Sequence, residues 1–247
     1  MFAIDTGTGL EIAHRPDERF AMCSTFKWVL AAAVLARVDR SLLSLADTLP
    51  YAVADLLEHA PITRAHVTEE KMTVDALAEA AVTVSDNTAA NLLLARIGGP
   101  SALTRFVRDH GDEVTRLDRN EPTLNENTPG DPRDTTSPRA MAMLLRAVML
   151  DNVLAPSSRE RLTGWMRAAT TGKDRLRAGL PRKWSVGDKT GTGARGAAND
   201  VAIAWPSGRA PIVIASYLSD SEVELAKLAA AHAEIASVVA QKMTTPS

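Results

Sequence analysis

The chain has 247 residues, a formal net charge of −2, and 45% hydrophobic against 23% charged residues, the profile of a globular protein large enough to bury a substantial core. So balanced a charge gives no electrostatic reason to expect nucleic acid or an acidic membrane as partner. The longest apolar stretch, Trp28 to Ala36, is too short to span a bilayer. A single cysteine, Cys23, excludes an internal disulfide and a cysteine-based zinc site. The histidines at 14, 59, 66, 110 and 232 include no i, i+4 pair, so no histidine metal site is expected.

The opening "FAIDTGTGLEIAHR" reads as a hairpin around Gly7-Thr8-Gly9. It follows Met1 without a basic region and an apolar run, so no signal peptide is expected in this chain. From Ser24 to about Arg40 the apolar residues run unbroken, which predicts a central helix buried on nearly every side. "TVDALAEAAVTV" is amphipathic, and "DNTAANLLLARIGGP" is a helical stretch stopped by Gly98-Gly99-Pro100. Residues 116–138, "RLDRNEPTLNENTPGDPRDTTSP", carry four prolines and little periodicity. Loops of that length inside a compact domain are usually functional. Ser137 then caps a further helix with Pro138 at its first position. Beyond about Arg175 the pattern turns to strands, "KWSVGDKTGTG", "NDVAIAW" and "PIVIASYLS", and a closing helix is expected from about Ser221 to Met243. Strands at both ends with helices between them predict an α/β fold of the α+β type. Its sheet lobe comprises 1–20 and 175–247, its helical lobe 21–174 including the loop, with the active site between them.

Three short motifs carry chemistry. Ser24 and Lys27, three apart on a helix, share a face. A nearby lysine whose pKa is lowered by burial can take a serine proton, and N–H groups at a helix start favour the developing anion. About one S-x-x-K is expected by composition in a chain of this length, so the pair alone is weak. Ser85-Asp86-Asn87 reads in isolation as an N-cap cluster, and Lys189-Thr190-Gly191 as a charged residue marking a sheet edge. Neither reading explains all three in this order. S-x-x-K, S-D-N and K-T-G together are the signature of class A β-lactamases and penicillin-binding proteins.

Over nearly its whole length the chain resembles a class A serine β-lactamase. "RNEPTLNEN" looks like the family's omega loop, with Glu121 and Asn125 where the deacylating water is held. The resemblance implies a five-stranded antiparallel sheet flanked by helices, plus an all-helical lobe. It also implies an Arg119–Asp134 ion pair closing the loop and a cis Glu121–Pro122 bond. The roles it implies are Ser24 as nucleophile and Ser24 and Thr192 N–H groups as oxyanion hole. Lys27, or Glu121 through water, is the first base, Ser85 the proton donor to the leaving nitrogen, and Glu121 with Asn125 the deacylation pair. Asn87 would bind the drug's side-chain amide; Lys189, Thr190, Gly191 and Thr192 would bind its carboxylate. The substrate implied is a small-molecule β-lactam, with no metal and no cofactor. A penicillin-binding DD-peptidase or a β-lactam sensor would share the three motifs but lack the glutamate loop.

Several positions depart from the family pattern. The strand after K-T-G, "GAANDVAIAW", lacks the arginine that many members use to bind the carboxylate, and Arg175 occupies the alternative arginine position. His59 falls where the family usually has an aromatic gatekeeper, and Gly193 stands where one carbapenem-hydrolysing subgroup pairs a cysteine with the equivalent of Cys23. The family's N-terminal helix has no counterpart ahead of the first strand, so an exposed apolar strip on the closing helix is expected. A monomer is the family expectation, with self-association the consequence of an uncovered strip. The parent protein is expected to be periplasmic or secreted.

Overall fold

The computed structural model describes residues 1–244. β1 (Phe2–Asp5) and β2 (Glu11–Ala13) form the expected hairpin. A two-residue strand, β3 (Phe20–Ala21), leads into a 3₁₀ turn at Cys23–Thr25, and α1 (Phe26–Asp39) follows. The helix expected to begin at Ser24 therefore begins two residues later, with Ser24 inside the tighter turn. Every residue from Phe26 to Ala36 is buried, so α1 is the central helix that its unbroken apolar run predicts.

β4 (Thr48–Pro50) pairs with β5 (Lys71–Thr73) around a short helix, α2 (Pro61–Ala65). α3 (Val74–Thr83) starts on Thr73, whose hydroxyl accepts from Ala76 N. α4 (Asn87–Ile97) starts on Asp86, whose carboxylate accepts from Ala89 N. It ends on Gly98 at φ 100°, a left-handed conformation that glycine adopts at no steric cost. α5 (Pro100–Asp109) follows at once.

The long loop is more ordered than its composition suggests. It contains a 3₁₀ turn at Thr123–Asn125, and its far end forms β6 (Thr135–Thr136), paired with β3. Arg119 Nε lies 2.5 Å from Asp134 Oδ2, and the Glu121–Pro122 bond is cis. α6 (Pro138–Leu150) is capped by Ser137, and α7 (Pro156–Ala168) and α8 (Leu176–Gly179) precede the C-terminal strands. These are β7 (Ser185–Thr192), β8 (Ala198–Trp205) and β9 (Ile212–Leu218), and α9 (Leu225–Thr244) closes the described chain. α9 thus starts about four residues after the expected Ser221.

The five long-range strands form one antiparallel sheet in the order β2-β1-β9-β8-β7. Side chains alternate across it, as the strand period requires. Phe2, Val201, Ile203, Val213 and Ala215 join the core that contains α1. Ala3, Ala202, Ala204, Ile212 and Ile214 join the core under α8 and α9. The sheet is therefore covered on both faces, and β7, which carries K-T-G, is one of its two edge strands, β2 being the other.

Among the apolar side chains of α9, Leu225, Ala226, Ala230 and Val238 are exposed, and Ala231, Ala233 and Ile235 are half-buried. A groove of about 480 Å³ is lined by Met1, Phe20, Tyr217, Leu218, Leu228 and Ile235, among others. No helix of the described residues is long and apolar enough to cross a membrane.

α8 and α9 meet at Gly179, where an added Cβ would lie 1.8 Å from Ala233 O. That atom is rigid helix backbone, so the substitution forces the helices apart. Gly179→Ala is expected to lower stability by about 1–3 kcal/mol, the usual scale of overpacking, in a urea denaturation series. An unchanged midpoint would show that the two helices tolerate separation freely.

Candidate active site

The nucleophile candidate sits at the junction of both lobes. Cys23 has φ 46° and Ser85 φ 62°, left-handed conformations that cost non-glycine residues of order 1–3 kcal/mol and persist only where surroundings enforce them. Both flank or occupy motif positions. At Ser24, the 3₁₀ turn followed by α1 brings Lys27 Nζ 2.9 Å from Ser24 Oγ. The three-residue spacing does place both on one face.

Lys27 is completely buried and donates only to acceptors: Ser24 Oγ, Ser85 O at 2.9 Å, Ser85 Oγ at 3.2 Å and Asn87 Oδ1. Glu121 Oε1 lies 3.0 Å from its ammonium, and this carboxylate is also almost fully buried. Burial lowers the lysine's pKa, while the charge of Glu121 and its hydrogen bond raise it. Lys189 is equally buried and donates to Ser85 Oγ at 3.0 Å. Its pKa falls to about 7, first through burial and then through the like charge of Lys27. Ser85 Oγ therefore stands between two ammonium groups.

Glu121 is held through both main chain and side chain. Its N–H donates to Asn91 Oδ1 at 3.0 Å, and its carbonyl accepts from Asn91 Nδ2 at 2.9 Å. Asn125 Nδ2 donates to Glu121 Oε2 at 2.6 Å, and Ser24 Oγ lies 3.2 Å from Oε1. Asn125 Oδ1 is buried without a hydrogen-bond partner among the described residues, an acceptor beside a carboxylate and a serine. A water donating to it would also reach Glu121.

Asp86, the middle residue of S-D-N, points away from this cluster. Its fully buried carboxylate accepts from Ile62 N, Thr63 N, Thr63 Oγ1 and Ala89 N. It fixes the turn that presents Ser85 and Asn87.

The edge strand supplies the opposite wall. Thr190 Oγ1 donates to Thr171 Oγ1 at 2.6 Å. Gly191 lies against the nucleophile segment so closely that an added Cβ would be 2.7 Å from Met22 O and 3.1 Å from Ser24 N. Arg175 reaches the same strand end: Nη1 donates to Gly191 O at 2.9 Å and to Asn199 O at 2.6 Å, and Nη2 to Thr192 Oγ1 at 2.7 Å. The other nearby arginines are engaged elsewhere, Arg177 by Asp188 and Arg195 by Asp220. Burial raises the pKa of Asp188 and of Asp200, both fully enclosed behind β7 and β8. His59 is exposed, with Nε2 3.0 Å from Val84 O, beside Ser85. Cys23 is buried, and burial pushes its thiol up to about 12, so it remains an inert thiol.

The structure thus gathers Ser24, Lys27, Ser85, Asn87, Glu121, Asn125 and Lys189 into one hydrogen-bonded cluster. Thr190, Gly191, Thr192 and Arg175 line its strand side, and His59 stands at its rim. Sequence reasoning missed Asn91, Asn199 and Thr171. Asn91 was findable, because it lies four residues after Asn87 on the same helix face. Among the described residues no cluster of three His, Cys, Asp or Glu side chains is placed to hold a metal ion.

The buried serine–lysine–glutamate cluster with a second lysine on a sheet edge defines a serine acyl-transfer hydrolase. The model of the β-lactamase enzyme family matches residues 1–243. The chain is 50% identical over 222 residues to β-lactamase AST-1 of Nocardia asteroides, covering 90% of this chain and 71% of that one. It is 48% identical over 233 residues to β-lactamase L2 of Stenotrophomonas maltophilia, covering 94% and 77%. The solved structure of an ancestral (GNCA) class A β-lactamase superposes with a TM-score of 0.96 at 56% identity, covering 98% of this chain and 92% of that one. The chain belongs to the class A β-lactamases, enzymes that hydrolyse β-lactams through a serine acyl-enzyme.

Lys189 offers a direct electrostatic test. NMR of its side-chain ammonium in the free protein is expected to report titration near pH 7, far below the ordinary lysine value of about 10.4. Lys27→Met removes a like charge and should move that midpoint upward. A wild-type midpoint above pH 10, or a downward move, would contradict the burial and charge arrangement described.

Proposed function

We propose that Ser24 is the residue acylated and Glu121 the base that releases the product. The observation that carries this is the single carboxylate oxygen, Glu121 Oε1, within reach of both Ser24 Oγ and Lys27 Nζ. Ser24 Oγ attacks the β-lactam carbonyl carbon and its proton passes to Glu121, the one neighbour in the cluster that only accepts. Backbone N–H groups of Ser24 and Thr192 take the developing oxyanion. The carbonyl carbon–nitrogen bond then breaks, and the nitrogen takes the Ser85 hydroxyl proton. Lys27, which donates to Ser85 Oγ, replaces that proton. It takes in turn the one held by Glu121 Oε1, 3.0 Å away, so Glu121 is again a carboxylate. Lys189 holds the Ser85 hydroxyl from the other side. In the second half, water held by Glu121 and Asn125 loses a proton to Glu121 and attacks the ester. The ester bond breaks, and Ser24 Oγ takes the proton from Glu121, which returns to the carboxylate form.

The substrate carboxylate sits against Lys189, Thr190, Gly191 and Thr192, with Arg175 supplying the positive charge behind Thr192. Asn87 takes the side-chain amide and His59 stacks at the entrance. The helical segment 21–174 and the sheet segments 1–20 and 175–244 act as two lobes with this site between them; 245–247, also assigned to the sheet lobe, lie outside the described residues. The reading is a monomer that works in the periplasm or outside the cell, where class A enzymes typically act.

The two halves respond differently to loss of Glu121. Burial lowers the Lys27 pKa and Glu121 opposes that, so removing the carboxylate leaves a lysine that is neutral at lower pH. A neutral amine 2.9 Å from Ser24 Oγ can take its proton, and acylation survives. No such substitute exists for the deacylation base. Glu121→Ala is therefore expected to cut turnover of a good penicillin by about 10²–10⁴-fold, with a covalent adduct accumulating within minutes by intact-protein mass spectrometry. Wild-type turnover in this variant would remove Glu121 from the mechanism.

Peptide mapping with a slowly hydrolysed β-lactam should place the adduct on Ser24, and Ser24→Ala should abolish hydrolysis while remaining folded. An adduct on any other residue would overturn the assignment of the nucleophile.

A further inference from the structure

We propose that Asn199 is a positioning residue for the oxyanion hole, its side-chain amide clamping the segment before Ser24 against the end of β7. The proposal rests on the reading that Ser24 N and Thr192 N bind the carbonyl oxygen.

Gly191 and Asn199 are direct partners in the β7–β8 register, so their side-chain positions share one face of the sheet. On the β7 side that position is empty of side chain, and the nucleophile segment occupies it, with Met22 O and Ser24 N packed over Gly191. On the β8 side Asn199, fully buried, holds the same segment: Nδ2 donates to Ala21 O at 2.9 Å and to Met22 O at 3.3 Å. One partner admits the segment and the other fastens it.

The main chain of Asn199 completes the arrangement. Its carbonyl accepts from Arg175 Nη1, and the same guanidinium holds Gly191 O and Thr192 Oγ1. Asn199 thus ties both donor segments to β8: the turn that carries Ser24 through its side chain, and the Thr192 end of β7 through Arg175. The residue between Met22 and Ser24 is Cys23 at φ 46°, a conformation that needs support from outside its own backbone. Met22 O receives that support from Asn199 Nδ2, Thr25 Oγ1 and Thr25 N.

A filler role fits poorly. Asn199 Oδ1 is buried with no hydrogen-bond partner among the described residues. An unsatisfied buried acceptor is destabilising, and an apolar side chain would fill the space without it. The amide is needed for its donors.

The test compares wild type with Asn199→Leu, which removes the donors, and Asn199→Asp, which keeps the shape and places acceptors against two carbonyls. Three quantities are measured: kcat/KM for a penicillin, affinity for a boronic acid that forms a tetrahedral adduct on Ser24, and non-covalent penicillin affinity in a Ser24→Ala background. The first two are expected to fall together by about 10–100-fold, somewhat less than the ~10²–10³ lost with an oxyanion donor itself. Non-covalent affinity should stay unchanged. If melting temperature falls while kcat/KM and boronate affinity hold, or if non-covalent affinity falls as far as kcat/KM, the positioning role is wrong. Should the leucine variant not fold, the aspartate variant decides by the same three measurements. A wild-type protein that forms no Ser24 adduct would instead overturn the underlying assignment of the nucleophile.

Discussion

Two lysine ammonium groups meet at one serine hydroxyl, with no solvent on either. Lys27 and Lys189 both donate to Ser85 Oγ, and both are fully buried. Enclosing a single such charge costs several kcal/mol, and placing two side by side adds their repulsion. The fold offsets this with carboxylates that are themselves enclosed: Glu121 against Lys27, and Asp188 and Asp200 behind Lys189. The position of each of those carboxylates is set by a different element. Glu121 comes from the long loop, Asp188 from β7 and Asp200 from β8. The site exists only when all of them have packed together.

Part of the backbone strain lies beside this cluster. Non-glycine residues with positive φ include Cys23 beside the nucleophile, Ser85 in S-D-N and Asp134 at the end of the long loop. At each, a buried group supplies hydrogen bonds that hold the strained conformation. Asp86 accepts five bonds from Ile62, Thr63 and Ala89. The Asp134 carboxylate accepts from Asp118 N, Arg119 N and Arg119 Nε. Stability is thereby spent on aiming side chains rather than on packing, which is the usual relation between strain and function.

Much of this was legible in the sequence, for identifiable reasons. The hairpin at Gly7-Thr8-Gly9, the buried α1 and the alternating strands follow from turn chemistry and periodicity, which are local. So is the Ser24–Lys27 spacing. The three motifs pointed to the site through their joint occurrence, and the Glu121 loop through the resemblance to class A β-lactamases; without that resemblance Glu121 reads as an ordinary surface carboxylate. The start of α1 was misplaced because apolar periodicity does not distinguish a 3₁₀ turn from a first α-turn at Cys23–Thr25. The short β3–β6 pairing joins residues more than a hundred positions apart, and two-residue strands carry no period to read. Asn199 was invisible for a related reason: its function depends on facing Gly191 across the sheet, a matter of register.

The same geometry accounts for the separation between acylation and release. In the proposed mechanism Glu121 Oε1 takes the Ser24 proton and Lys27 Nζ can do so once that carboxylate is removed, because both lie within 3.2 Å of Oγ. In the proposed mechanism water attack on the ester has a narrower requirement, since the base must lie close to an acceptor for the second water hydrogen. Glu121 Oε2 with Asn125 meets it, and Asn91 fixes the Glu121 main chain by two hydrogen bonds to α4. The proposed deacylation base is therefore tied to the helix that also carries Asn87. The loop supplies the carboxylate, and the helix determines where it stands.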